Sequence, residues 1–350
     1  MNPHKFNIVF LFFCLMLIAV CTASILIGTG LSVPDSIRSI GKSLFTINMF
    51  SEASSLSERA GDIMNTRLAR IVLAMIGGAG LAVSGAILQS LLRNSLADPY
   101  FIGVSAGASF GSALMFFLPI VGITFVFQGV SVLAAFLGAL GAVFAALVLA
   151  RSRHRLESTH LILAGIAIST FLTAMVSGLM ILRPNQYQLI VFWTLGSFAD
   201  ATWEKVLWTL GPVSAGIVLA LVFARDLNLM LLGEEKAQSL GLPVEKRKKM
   251  LLAVSALMAA SVVASAGIIV FAGLIIPHIA RLLIGSDNRK VIPLSAVLGA
   301  VFLLAADTLA RNLFAPDQIP ISIITALAGA PFFIFLLVRK KNDRTRKDHL

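Results

Sequence analysis

Apolar residues occur along the chain in long runs, and the polar residues between them gather into short clusters instead of alternating with a surface-helix or strand period. Runs of roughly 20 residues match what a helix needs to cross a hydrocarbon layer ~30 Å thick at ~1.5 Å per residue. Reading from each polar, Gly or Pro interruption to the next predicts about ten membrane-spanning helices, at about 6–30, 67–92, 100–118, 126–150, 159–182, 204–224, 249–270, 272–284, 291–312 and 320–338. The third and eighth are short for a full crossing and carry Pro or Gly at or near their ends. Broken segments of this kind persist in lipid only when packed against protein or along a water-filled path.

The pattern therefore predicts an all-α membrane protein, a single transmembrane domain over 1–350. Three polar stretches stand out. The first, about 32–66, contains Pro34 and several serines and is too short for a domain. In the second, 225–248, Leu229, Leu232, Ala237 and Leu240 are interspersed with polar residues, and Gly233 and Gly241 interrupt the run. It reads as two short helices lying at the membrane surface, open to a partner. The third is a basic tail, 339–350.

Basic residues orient the chain. Arg151, Arg153, Arg155, Lys246 to Lys249, Arg289, Lys290 and the basic tail all fall on one side if the amino terminus is inside, and only a minority, among them Arg38, Lys42, Arg59 and Arg183, fall on the other. That bias places both termini and 225–248 in the cytoplasm of a multi-pass protein.

Composition excludes a soluble enzyme: 58% of residues are hydrophobic, 13% are charged, and the mean hydropathy is +0.92. No water-soluble core could hide so much apolar surface. The net charge of +11 does not point to nucleic acid, because the basic residues sit in short loops without interleaved aromatics. Cys14 and Cys21 both lie in the first apolar run, so neither a disulfide framework nor a metal site follows from them. Ile18-Ala19-Val20-Cys21 has the look of a lipoprotein cleavage site, but the run continues to about Leu31, which favours a retained helix.

Candidate chemistry is sparse. Gly41-Lys42-Ser43 has the ending of a phosphate-binding loop, yet the required earlier glycine is Ser36. Gly103-Val104-Ser105-Ala106-Gly107 has the letters of a hydrolase elbow without strand context or nearby acid and base partners. No catalytic residue and no metal site is expected. His160, His278, Arg281, Asp307 and Arg311 lie mostly near helix ends, and the i, i+4 spacing of Asp307 and Arg311 suggests a local ion pair in place of a proton relay.

Ordered motifs carry a family resemblance. Arg67-Leu68-Ala69-Arg70, Ser84-Gly85-Ala86-Ile87-Leu88-Gln89, Arg93-Asn94-Ser95-Leu96-Ala97-Asp98-Pro99, Trp193-Thr194-Leu195-Gly196-Ser197, Leu232-Gly233-Glu234-Glu235 and Phe271-Ala272-Gly273 through Arg281 follow one another as in the FecCD permeases. That family includes vitamin B12, haem and ferric-siderophore importers, and the likeness runs from about 67 to 338. It implies a vitamin B12-permease-like (type II ABC importer) fold of ten helices in the cytoplasmic (inner) membrane. Implied partners are a second permease subunit (the same chain or a sister), two ABC ATPase subunits, an extracytoplasmic substrate-binding protein and membrane lipid. ATP and Mg would be used by the partner ATPase, with no cofactor bound by this chain.

The resemblance also implies roles. Gly233, Glu234, Glu235 and Gly241 match the coupling helices that engage the ATPase. Ser158 and Thr159 match a cytoplasmic gate and Asn94 a second constriction; on the residues alone, Ser158 and Thr159 read as a helix N-cap. Ser95 departs from the proline that many relatives carry. Arg67, Arg70 and Arg311 match outward-facing arginines that meet acidic groups of the binding protein in the vitamin B12 member, whereas the residues alone allow Arg67 and Arg70 as interfacial anchors. The implied cargo is a ferric siderophore first, then haem, cobalamin or a molybdate-type oxyanion. The competing classes are an ion-coupled secondary carrier, which would follow a proton or sodium gradient without ATP, and a membrane enzyme or scaffold, which would show no substrate flux.

Overall fold

The computed structural model describes residues 3–27, 56–117, 128–152, 155–182, 184–315 and 317–347. Gly41-Lys42-Ser43, most of the 32–66 stretch and the last three residues lie outside these. Thirteen α-helices are present among the described residues: α1 Pro3–Leu26, α2 Leu56–Leu91, α3 Val104–Phe117, α4 Gln128–Leu149, α5 Ser158–Leu182, α6 Tyr187–Thr194, α7 Trp203–Val222, α8 Ala224–Leu231, α9 Glu234–Ser239, α10 Val244–Ala266, α11 Ala272–Ile284, α12 Asn288–Asn312 and α13 Ile321–Lys347. A two-residue antiparallel pair, β1 Arg151–Ser152 with β2 Arg155–Leu156, joins α4 to α5.

Seven of these helices are long and apolar enough to cross a membrane, and α3, α11 and α13 carry three shorter apolar stretches. Together they correspond to the ten predicted segments. Four boundaries differ for identifiable reasons. Helix α2 begins at Leu56, inside the expected loop, because Ser57-Glu58-Arg59 continues the helix in polar form. The third segment is divided by Gly103, at φ 94°, into a 3-10 turn Pro99–Ile102 and α3; Asp98 caps that turn by accepting the Tyr100 N–H at 2.9 Å, with Pro99 in its first position. Helix α10 starts at Val244, so the basic run Lys246 to Lys249 forms its first turns. The basic tail continues α13 as helix to Lys347.

Helix α2 is the axis of the molecule. It packs against α7, α10, α11 and α12 and is buried on nearly all sides, as is α10. Helices α3, α4 and α5 form a second group joined to the first through α10. Small residues allow these approaches: Gly78 of α2 faces Gly299 of α12 so closely that a methyl on either would collide with the other's carbonyl oxygen. Helices α1, α5 and α13 instead leave large apolar side chains outside, such as Leu15, Phe171 and Leu327.

Replacing Gly78 by Val should lower the thermal unfolding midpoint of the detergent-purified protein by several degrees, since overpacking costs about 1–3 kcal/mol and here meets backbone. Gly141→Ala, where nothing lies within 4 Å, should leave the midpoint unchanged or raised. Equal behaviour of the two variants would contradict the close-approach account.

Candidate functional site

One end of the molecule carries α8 and α9. Helix α9 is six residues long and bracketed by Gly233 (φ 112°) and Gly241 (φ 83°), both in the left-handed region that a side chain disfavours. Its inner side is set by buried Ala237 and Leu242, while Leu232 and Leu240 are 57% and 63% exposed at its two ends. The segment thus offers two apolar knobs and a charged middle on a short rigid rod.

That rod is tied down at its base. Glu234 Oε1 accepts from Lys248 Nζ of α10 at 2.7 Å, and Lys248 is almost wholly buried. Arg247 pairs with Asp226 of α8 at 2.9 Å and lies over the Phe223 ring at 4.3 Å. Glu235, in contrast, is exposed and enters none of the ion pairs among the described residues. The two adjacent glutamates therefore differ: one holds the rod, the other faces outward.

A cleft of about 940 Å³ lies beside this rod and brings Gly233, Glu234 and Glu235 together with Ser158, Thr159 and Arg93. Helix α5 begins at Ser158 itself, so the N-cap position falls to Glu157, which pairs with His160 Nδ1 at 3.0 Å. Asn94 does not line the cleft. Its Oδ1 accepts the Leu96 N–H at 2.9 Å and its carbonyl accepts the Ala97 N–H at 3.1 Å, which closes the loop between α2 and the 3-10 turn without proline at position 95.

From α8 a chain of polar groups runs into the bundle. Asn228 Nδ2 donates to Asp287 Oδ1 at 2.7 Å, and Asn228 Oδ1 accepts the backbone and side-chain N–H groups of Asn288 at 2.8 and 3.0 Å. Asn288 Oδ1 accepts from Ser90 Oγ of α2 at 2.9 Å. Arg281 of α11 donates to Ser90 Oγ, to the Ala86 carbonyl and to Gln89 Oε1. Gln89 Nε2 in turn donates to the Leu274 carbonyl at 3.0 Å, in the first turn of α11. Ser90 and Asn288 are fully buried. Sequence reasoning passed over Asn228, Ser90 and Asn288; only Gln89 and Arg281 carried a signal, as motif ends.

At the opposite end the three arginines turn inward. Arg70 grips Asp307 with Nε and Nη2 (2.8 Å for the closest contact) and donates from Nη1 to Gln318 Oε1 at 2.8 Å. The partner of Asp307 is thus Arg70, across helices, and not Arg311 as the i, i+4 spacing suggested: the Arg311 side chain reaches instead to α1, donating to the carbonyls of Ser24 (2.6 Å) and Ile27 (3.0 Å). Arg67 donates to the Ile25 carbonyl at 2.8 Å. Arg67 and Arg311 together satisfy the last carbonyls of α1, which the helix cannot. All three arginines are buried. Among the described residues no cluster of three or more His, Cys, Asp or Glu could hold a metal ion.

Residues 15–339 match the FecCD transport family. The chain is 42% identical to the cobalamin import system permease protein BtuC of Halobacterium salinarum, over 80% of this chain and 74% of that one. It is 39% identical to the hemin transport system permease protein HmuU of Yersinia pestis, over 81% and 84%. Its fold is similar to a solved inward-facing conformation of a transporter assigned to the metal-chelate ABC type, with a TM-score of 0.79 and 31% identity over 95% of this chain and 99% of that one.

Removing a partner from a buried ion pair leaves the other charge stranded, at about 3–5 kcal/mol. Arg70→Ala should therefore destabilise the protein strongly, and Arg70→Lys should not restore it, because an ammonium cannot make the two-point grip. Thermal unfolding checks both, and a wild-type midpoint for Arg70→Ala would remove the strut from the account.

Proposed function

The chain belongs to the FecCD transport family, and on that premise we propose that α8 and α9 take force from a partner ATPase and pass it to α2, α11 and α12, so that iron chelates, ferric siderophores foremost, cross the cytoplasmic membrane by alternating access. The chain is a multi-pass permease subunit of an ABC importer. The observation that carries the reading is the glycine-bracketed rod α9, exposed at both ends and fastened at its base by Glu234–Lys248.

In this proposal both termini and α9 face the cytoplasm, in keeping with the basic residues beside them. Two ATPase subunits bind ATP and Mg, and this chain holds no cofactor. Leu232, Glu235 and Leu240 meet the ATPase. Because α9 is tied to α10 and α8 to α12, closure of the ATPases tilts whole helices rather than bending a loop. The chain of groups from Asn228 to Gln89 carries that tilt to the start of α11. Ser158 and Thr159, in the cleft beside α9, close the path with small polar groups that bind no cargo tightly, and Asn94 shapes the adjoining loop as the second constriction.

A second permease subunit, identical or homologous, covers part of the apolar surface on α5 and α13, and lipid covers the rest. An extracytoplasmic binding protein docks at the end bearing Arg67, Arg70 and Arg311; with their side chains engaged inside the subunit, these arginines serve it chiefly by holding α1, α2 and α12 in place. Relatives named for cobalamin and hemin, both large metal macrocycles, support a chelate as cargo. Haem or cobalamin is the next choice after a siderophore, and an oxyanion of the molybdate type follows.

The proposal separates two glutamates. Glu235→Lys should leave the stability of the purified chain unchanged yet cut ATP-driven uptake at least about tenfold, as expected for one or two charge-assisted contacts at an interface. Co-purification with the ATPase should fall in parallel, and normal uptake by this variant would end the coupling role. Asn288→Leu should retain ATP hydrolysis while moving fewer cargo molecules per ATP. An unchanged ratio would show that the polar chain transmits nothing.

A further inference from the structure

Helix α2 ends around an arginine. The N–H of Asn94 reaches back to the carbonyl of Gln89 at 3.2 Å, and the residue enclosed by that closing turn is Arg93, at φ 48°. Glycine is the ordinary occupant of such a left-handed position after a helix, because a side-chain carbon there crowds the following carbonyl. Among the described residues Phe271 is the only other non-glycine with positive φ. An arginine kept where glycine would be more stable points to work done by its side chain.

That side chain crosses to the rod. Arg93 Nη1 lies 3.4 Å from the place a side-chain carbon on Gly233 would take. Gly233 follows α8 and opens α9, and it too has positive φ, so two left-handed positions meet across the cleft. The cation stands near the carbonyl ends of both α2 and α8, the negative pole of each, with Glu234 and Glu235 in the first turn of α9 beyond it. Glu157 and Glu234 line the same cleft, but Glu157 pairs with His160 and Glu234 with Lys248. The Arg93 guanidinium enters none of the ion pairs among the described residues. It is held against Gly233 by packing and by the field of the helix ends, and no fixed carboxylate keeps it from following the rod.

Backbone and side chain of this one residue therefore belong to different parts of the machinery. The backbone forms the turn that sets Asn94, which in turn holds the N–H groups of Leu96 and Ala97, and the guanidinium covers the first glycine of the rod. We infer that Arg93 is a positioning residue that makes the loop carrying Asn94 follow α9, by a path separate from the chain of groups through Asn288. The inference rests on the importer reading for its purpose, although the contact itself does not. A pull on α9 shifts Gly233, the guanidinium moves with it, and the closed turn at the end of α2 passes the shift to Asn94. Glycine or asparagine at position 93 satisfies the left-handed backbone and breaks the link.

The test uses the full chain with Cys14→Ser and Cys21→Ser, spin-labelled at Ser95→Cys and Ser239→Cys, both exposed, one on the loop and one on the rod. In detergent, Arg93→Gly and Arg93→Asn should each broaden the distribution of distances between the labels, read by electron paramagnetic resonance, and neither should lower the thermal unfolding midpoint. Without labels, in vesicles with the ATPase and binding protein, both variants should keep ATP hydrolysis. The cargo moved per ATP should fall at least about fivefold, the lower end of ordinary coupling between sites. The cargo is ferric trihydroxamate, haem or cobalamin, whichever the wild type accumulates, and Arg93→Asn separates loss of the guanidinium from the flexibility of glycine. Unchanged distances, an unchanged ratio, a change confined to Arg93→Gly, or a lowered midpoint in Arg93→Gly would each overturn the inference. If the wild type accumulates none of the three, the importer reading fails on its own, and the label distances still decide whether Arg93 holds rod and loop together.

Discussion

Every backbone polar group inside a hydrocarbon layer needs a partner, and the broken helices of this chain meet that requirement with one another. The gap between α10 and α11 opens the backbone over residues 267–271. It is closed by Ser197 N–H on the Ala266 carbonyl, by the Tyr100 hydroxyl on both groups of Ile269 and by Ser322 Oγ close to the Ile268 carbonyl. The turn after α6 is tied in turn to the start of α13, through the N–H of Ile321 on the Gly196 carbonyl. Segments far apart in sequence are thereby locked where a continuous helix would have had no need of them.

On the proposed mechanism, that requirement favours tilting of helices over stretching of the breaks. A break held at Ala266, Ile268 and Ile269 cannot stretch without exposing those groups, each unfavourable by a few kcal/mol in an apolar setting. In that mechanism whole helices move with their attached breaks, and the polar chain from Asn228 through Asn288 and Ser90 to Gln89 ties α8 to the break at its α11 side. At the other end, Arg67 and Arg311 do similar work for the last carbonyls of α1.

Much of this was legible in the residues. Long apolar runs determine where helices cross, because thickness and rise per residue leave little choice, and Gly233 and Gly241 marked the rod as short. Helix α6 was not legible: eight residues fall below the length that signals a span, and it exists because the turn after it is held by α10 and α13. The partner of Asp307 was misread because spacing along one helix suggests only local pairs, while Arg70 lies 237 positions away. The resemblance gave Ser158 and Thr159 a gate role but not their place beside α9, and Asn288 carried no pattern at all, since its contacts come from α2 and α8.

The central claim is that this permease borrows its energy from a separate ATPase. The most direct measurement places the purified chain in vesicles with and without the ATPase and binding protein, and follows accumulation of a radioactive ferric chelate under ATP or under an imposed proton or sodium gradient. Accumulation that requires both the ATPase and ATP, and ignores the gradients, is the predicted result. Uptake by the chain alone that follows an ion gradient would contradict it.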